Sequence, residues 1–351
     1  MSLKVSPRLG RIFRSALVLF LLCTSVDITF AQFSPPAERP NSLYRIADGI
    51  PGPAGIVRKN SQLWVVAENI HRIVGLSQKG QELYSVGNGG CGKVFCNPVG
   101  IALDSQGDLY VGDTNDAVIR KVSKISELGS LVETVAGSMS NCGTENAIKG
   151  AALCHPAGVV VDKNDDLYVV DTNLHAVRKV TFSPPEVKTI AGNLSCGGAD
   201  GIGMNASFCR PRGIAIDAAN NLYVADTGNS TVRKITPEGV VSTIAGMAGV
   251  SGYADGGRAP DGSSTARFSG PTGIAFDNLT GDLYVADTQN ATIRKITPDG
   301  QVTTVAGKAG ITKTAPGTLP GTMAKPRGIA VIGPRQLAIS TEGNEVLGIS
   351  F

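Results

Sequence analysis

The chain has 351 residues, with 32 Lys and Arg against 29 Asp and Glu, three His and seven Cys. So even a balance carries no electrostatic footprint for nucleic acid or an acidic membrane surface. No apolar stretch reaches the ~20 residues that a membrane-spanning helix needs.

Residues 1–31 read as a signal peptide. Lys4, Arg8, Arg11 and Arg14 form a positive beginning, Ala16 to Cys23 a short apolar centre, and Thr29 and Ala31 a small-residue cleavage site before Gln32. The leader holds four of the basic and one of the acidic residues, which leaves 28 of each. The mature chain is then formally neutral and secreted. Residues 32–41 follow as a Pro-containing lead-in without regular structure.

From residue 42 to 351 one unit recurs. It starts with Pro, a small residue, Gly and an apolar pair, and runs on to a Leu-Tyr-Val strand. Anchors at Pro53, Pro98, Pro156, Pro211, Pro271 and Pro326 give six copies. In the fourth copy, strands are expected from Gly213 to Asp217, Leu222 to Asp226, Thr231 to Thr236 and Val240 to Ala245. Val, Ile, Tyr and Thr fill them, and Gly, Pro, Asn and Asp break them. A period of this length made of short strands predicts an all-β, six-bladed β-propeller. The last copy ends one strand short, and Leu43 to Gly49 resembles an outer strand without a blade. That segment is expected to complete the last blade and close the ring.

Six cysteines fall as Cys91/Cys96, Cys142/Cys154 and Cys196/Cys209, each couple inside one inter-repeat loop. Local pairing would close each loop on itself. Secretion, and the lack of any C-x-x-C spacing, favour disulfides over zinc ligation.

Asp226 to Lys234 (Asp-Thr-Gly-Asn-Ser-Thr-Val-Arg-Lys) and Asp287 to Lys295 (Asp-Thr-Gln-Asn-Ala-Thr-Ile-Arg-Lys) resemble the signature of NHL-repeat β-propellers, as do Asp113 to Lys121 and Asp171 to Lys179. Ala67 and Thr341 stand where the first and last copies should have Asp. The resemblance implies a ring that uses one face for recognition, and zinc lyases occur among related secreted propellers.

The recurring pairs Asp113/Arg120, Asp171/Arg178, Asp226/Arg233 and Asp287/Arg294 put carboxylate and guanidinium on facing strands. A catalytic site is rarely copied around a ring, so these pairs are expected to be structural. His71 and His175 share the turn between second and third strands, and His155 precedes the Pro of blade three. All three are expected on one face as candidate binding residues, where a zinc site would also need them, but His71 and His175 lie in separate blades away from the axis and read as ordinary turn histidines rather than zinc ligands. Asp162 to Asp166 opens like a calcium loop but lacks the Gly and the bidentate Glu, and reads as a strand-connecting turn. Gly87 to Gly92 matches G-x-G-x-x-G without a helix to follow. Asn193, Asn205, Asn229, Asn278 and Asn290 head N-glycosylation sequons.

No nucleophile, base and orienting group converge in the sequence. The chain therefore reads as a secreted interaction or ligand-binding module, expected as a monomer without a resident cofactor. Its partner would be an extracellular protein, peptide or glycan. The alternative is a metal-dependent extracellular enzyme, of the zinc lyase or calcium-dependent hydrolase type.

Overall fold

The structure is a computed structural model that describes residues 40–351, apart from 88, 92–93, 127–128, 140–141 and 144–152. The expected signal peptide and residues 32–39 of the lead-in lie outside the described residues. Six antiparallel sheets form a ring of six blades. Their inner strands run Pro53–Lys59, Pro98–Leu103, Pro156–Val161, Gly213–Ile216, Pro271–Phe276 and Pro326–Gly333. The second strands of blades two to five all end in Asp, from Leu109–Asp113 to Leu283–Asp287. Among the described residues no helix is long and apolar enough to cross a membrane.

The N-terminal strand Ser42–Asp48 pairs antiparallel with Glu345–Ser350 and completes the sixth blade, which closes the ring. Two short strands go beyond the sequence reading. Gly201–Ile202 adds to the outer strand Val240–Gly246 of blade four, and Gly317–Thr318 adds to Ser42–Asp48. Both come from inter-blade connections that fold back onto an otherwise open sheet edge.

Apolar residues on both faces of each sheet are buried between neighbouring blades. One cluster joins Ala215, Tyr223 and Val232 of blade four to Ile274, Leu283 and Val285 of blade five. Around the axis the packing is closer still, and the recurring Gly explains it. A Cβ on Gly213 would lie 2.0 Å from the Thr272 carbonyl oxygen, and one on Gly328 would lie 2.0 Å from that of Ala54. The equivalent glycines of the other four blades meet the next blade's backbone carbonyl at 2.0–2.5 Å. In every case that carbonyl belongs to the residue between Pro and Gly. Only glycine lets six inner strands approach so closely.

The Gly213→Ala variant should therefore force backbone apart and lose about 1–3 kcal/mol or more, measured by urea unfolding. A variant as stable as the parent would show that the ring does not need this contact.

Candidate functional site

The buried Asp at the end of each second strand organises one face of the ring. Asp226 Oδ1 accepts the Cys209 N–H at 2.8 Å, and its Oδ2 accepts Asn229 Nδ2 at 2.7 Å and Arg233 Nη1 at 3.0 Å. Asp287 repeats this with Ser269 N, Asn290 Nδ2 and Arg294 Nη1. Asp226, Arg233, Asp287 and Arg294 are all fully buried. Burial pushes both carboxyls up to about 6, against their hydrogen bonds and guanidinium partners, so both are ionised at neutral pH. In blade two, Arg120 Nε meets Asp113 at 3.0 Å and its Nη2 meets Asp116 at 2.8 Å. Asp171 accepts the N–H groups of Cys154, His155 and Leu174, and Arg178 is fully buried beside it.

Two further carboxylates escaped the sequence reading. Asp200 Oδ1 lies 2.7 Å from Arg233 Nη2, and Asp255 Oδ1 lies 2.8 Å from Arg294 Nη2. Each also accepts the N–H and hydroxyl of an outer-strand threonine, Thr243 or Thr304, and so ties the inter-blade loop to its sheet. Phe208 and Phe268 lie under the two guanidiniums, 5.2 and 4.9 Å from ring centroid to guanidinium carbon. The signal was present in the parallel segments Gly198-Ala199-Asp200-Gly201 and Tyr253-Ala254-Asp255-Gly256.

The three histidines share the expected face but do not converge. Among the described residues, no three His, Cys, Asp or Glu side chains gather in an arrangement that would hold a metal ion. His71 Nδ1 accepts the Asn97 N–H and His175 Nδ1 accepts the Arg210 N–H, both at 3.0 Å. Asn97 and Arg210 directly precede the Pro of the following blade. Asn344 Oδ1 does the same for Gly52 at 3.0 Å, and Ser230 Oγ for Gly270 at 3.4 Å. All four acceptors sit at φ between 53° and 60°, in the left-handed turn position. Four of the six blades supply a side-chain acceptor in that column, and histidine is one way to do so; blades two and five have Ala117 and Ala291 there. His155 instead places Nδ1 2.8 Å from the Cys154 carbonyl and 2.9 Å from Asn173 Nδ2.

Asp162 Oδ1 accepts the N–H groups of Asn164 and Asp166 and closes a turn rather than opening a cation loop. Cys91–Cys96, Cys142–Cys154 and Cys196–Cys209 are disulfides. Two of the sequons need correction. The amide nitrogens of Asn229 and Asn290 donate to buried Asp carboxylates and to the Gly197 and Gly252 carbonyls, so the folded chain leaves no place for a glycan there. Asn193, Asn205 and Asn278 are exposed.

The axis of the ring encloses a cavity of about 340 Å³. Its wall is the inner strands, with Ile56, Ile101, Val159, Ile214, Ile274 and Ile329 at equivalent positions. At its mouth stand the residues between Pro and Gly of every blade but the third, whose Ala157 is buried. The sequence reading treated that column as small, which holds for Ala54, Val99 and Ala157. Blades four to six place Arg212, Thr272 and Arg327 there instead. The two blades without the Asp contribute Glu68 and Glu342, next to Ala67 and Thr341 in the same turn column. Glu68 Oε2 pairs with Arg327 Nη1 at 2.5 Å, and its Oε1 accepts Asn97 Nδ2 at 2.8 Å. The departure from the repeat thus carries a carboxylate to the mouth of the channel.

Two predictions follow from this geometry. Arg233→Met leaves Asp226 buried without its counter-charge and should cost about 3–5 kcal/mol in urea unfolding; a loss below about 1 kcal/mol would show that the remaining donors suffice. His175 titrates below its ordinary 6.5, because burial and then the Arg210 charge oppose the imidazolium. The unfolded chain therefore binds that proton better, and this contribution to stability is lost as pH falls through and below about 6.5. The raised Asp carboxyls act in the opposite direction, but equally in both proteins compared. His175→Asn keeps an acceptor that does not titrate, so it should lose less stability than the parent between about pH 7.5 and 5. Identical pH dependence in the two would remove His175 as the cause.

Residues 95–121, 153–180 and 208–235 match the family model of the NHL repeat. NHL repeat-containing protein 2 of Homo sapiens is 26% identical over 302 residues, 73% of this chain and 40% of that protein. Teneurin-3 of Danio rerio is 31% identical over 229 residues, 57% of this chain and 8% of that protein. The chain thus spans about two fifths of the NHL repeat-containing protein 2 sequences it matches. Among solved structures, a structural genomics protein of unknown function from Bacteroides thetaiotaomicron superposes with a TM-score of 0.68 at 22% identity, over 88% of this chain and 75% of that one. A streptogramin B lyase does so with a TM-score of 0.56 at 15% identity, over 90% and 99%. At these identities the superpositions speak to fold alone. The chain is a six-bladed β-propeller that carries NHL repeats.

Proposed function

We propose that the protein is a secreted recognition module that holds its partner on the face carrying the inter-blade connections. The observation behind this reading is an asymmetry between the two faces. Inter-blade connections on this face run from 4 to 24 residues, whereas turns on the opposite face take 2 to 6. Long variable loops on a rigid frame are where binding residues concentrate. Three of these loops are closed by disulfides, which fits an extracellular protein. The 247–270 connection is held by Asp255 yet leaves Tyr253 69% exposed, an amphipathic contact residue in solvent. NHL propellers generally serve as protein-interaction modules, and an extracellular protein, peptide or glycan is the corresponding partner here.

The test compares the two faces. Immobilised protein would capture its partner from the medium of the producing cells. Tyr253→Glu and Arg210→Glu should abolish that capture, whereas Leu279→Glu on the short-turn face, where Leu279 is 74% exposed, should not. Loss confined to Leu279→Glu would assign recognition to the other face.

A further inference from the structure

The mouth of the central channel has two unlike halves. Blades four, five and six bring Arg212, Thr272 and Arg327 to it, and blades one and two bring Ala54 and Val99, while Ala157 of blade three is buried. The backbone at this column is fixed by the glycine contacts, because its carbonyl meets the next glycine around the ring. Its side chain is used differently around the ring: Thr272 bonds within the rim and Arg327 pairs with Glu68 of blade one, whereas the Arg212 guanidinium has no partner among the described residues.

The two guanidiniums differ in what they already hold. Arg327 pairs with Glu68, which in turn is steadied by Asn97 Nδ2. Arg212 lines the cavity and is exposed; its backbone bonds Ala225 and Gly158, but its guanidinium makes no hydrogen bond or ion pair among the described residues. Its pKa is held below the ordinary arginine range by desolvation within the ring and then by the Arg327 charge, while Glu68 and Glu342 pull the other way. Guanidinium this far from its titration range keeps its proton and its five donors. Around it the charges do not cancel: Arg210, Arg212, Lys325 and Arg327 face Glu68 and Glu342, and Lys325 and Glu342 lie 3.8 Å apart. Beside it, Thr272 Oγ1 lies 2.6 Å from Thr288 Oγ1 and 3.0 Å from the Arg327 carbonyl. This binds the threonine pair into the same rim.

We infer that the channel mouth binds the carboxylate of a small organic acid, with Arg212 as its main anchor and Arg327 as its neighbour. This rests on the recognition reading above and names a ligand class for the same face. A planar carboxylate matches the fork of a guanidinium in a way that a point charge does not require. The apolar half of the mouth and the Ile-lined wall then take the apolar body of the acid. A cavity near 340 Å³ lies within the ~300–1,000 Å³ common for small-molecule sites. Inorganic phosphate would satisfy the arginines but leave the apolar half unused.

The experiment titrates the full secreted chain with benzoate, benzamide and inorganic phosphate, followed by calorimetry and by protein NMR shifts. Benzoate should bind saturably and in competition with longer carboxylates, and benzamide, its uncharged counterpart, should not. Arg212→Gln should weaken benzoate by about tenfold or more, and Arg212→Lys should restore only part of it. Thermal unfolding of Arg212→Gln should match the parent, since that guanidinium has no partner to lose. Benzoate that binds no better than benzamide, or equally well to Arg212→Gln, would overturn the site. Phosphate binding as tightly as benzoate at the same residues would overturn the organic-acid assignment. Capture of the macromolecular partner, tested with the Tyr253 and Arg210 variants, is a separate readout. If capture persists while benzoate fails, only the acid site falls.

Discussion

The whole ring depends on a backbone contact that tolerates no side chain. Six times a glycine lies against the carbonyl of the residue between Pro and Gly in the next blade, and the sixth contact returns to the first blade. A propeller must bring inner strands together at the axis while their sheets splay outward, and this contact sets how close they come. Once it is fixed, the sheets meet face to face at a spacing that apolar side chains can fill, and the inter-blade cores follow.

Buried aspartate builds the second level. Each one binds the N–H that leads into its own blade, and in blades two, four and five it also binds its own third-strand arginine. The threonine beside it reaches forward, as Thr114 Oγ1 donates to the Pro156 carbonyl, Thr172 to Pro211, Thr227 to Pro271 and Thr288 to Pro326. Adjacent residues thus face in two directions, one securing a blade and the other its neighbour. Isolated charges of this burial would be intolerable, and here every carboxylate has several donors. Blades one and six put Ala67-Glu68 and Thr341-Glu342 at this place, and there the carboxylate is free to serve the channel mouth.

The fold was legible because repetition averages out local ambiguity. A single Leu-Tyr-Val run says little, but four of them within six Pro-anchored copies 45 to 60 residues apart specify a ring, and the missing last strand points to Ser42–Asp48. The site was less legible for the same reason, since reading by repeat suppresses whatever departs from it. Arg212 and Arg327 were hidden in a column treated as small, although their departure from that column was itself the signal. By residue type His71 and His175 resemble metal ligands, whereas by column they stand with Asn344 and Ser230 as acceptors. Asp200 and Asp255 lie outside the strand pattern, so only the likeness of their two loops could have found them.

Closure by the strand Ser42–Asp48 bears on how the molecule comes apart. A linear array of repeats can lose its terminal unit first and unfold progressively from there. In this ring the first strand lies in the last sheet, between Glu345–Ser350 and the added pair Gly317–Thr318. No blade is terminal, so none can fray without breaking contacts on both of its sides. Amide exchange should then show similar protection in all six inner strands, with opening events that are global rather than graded from one end.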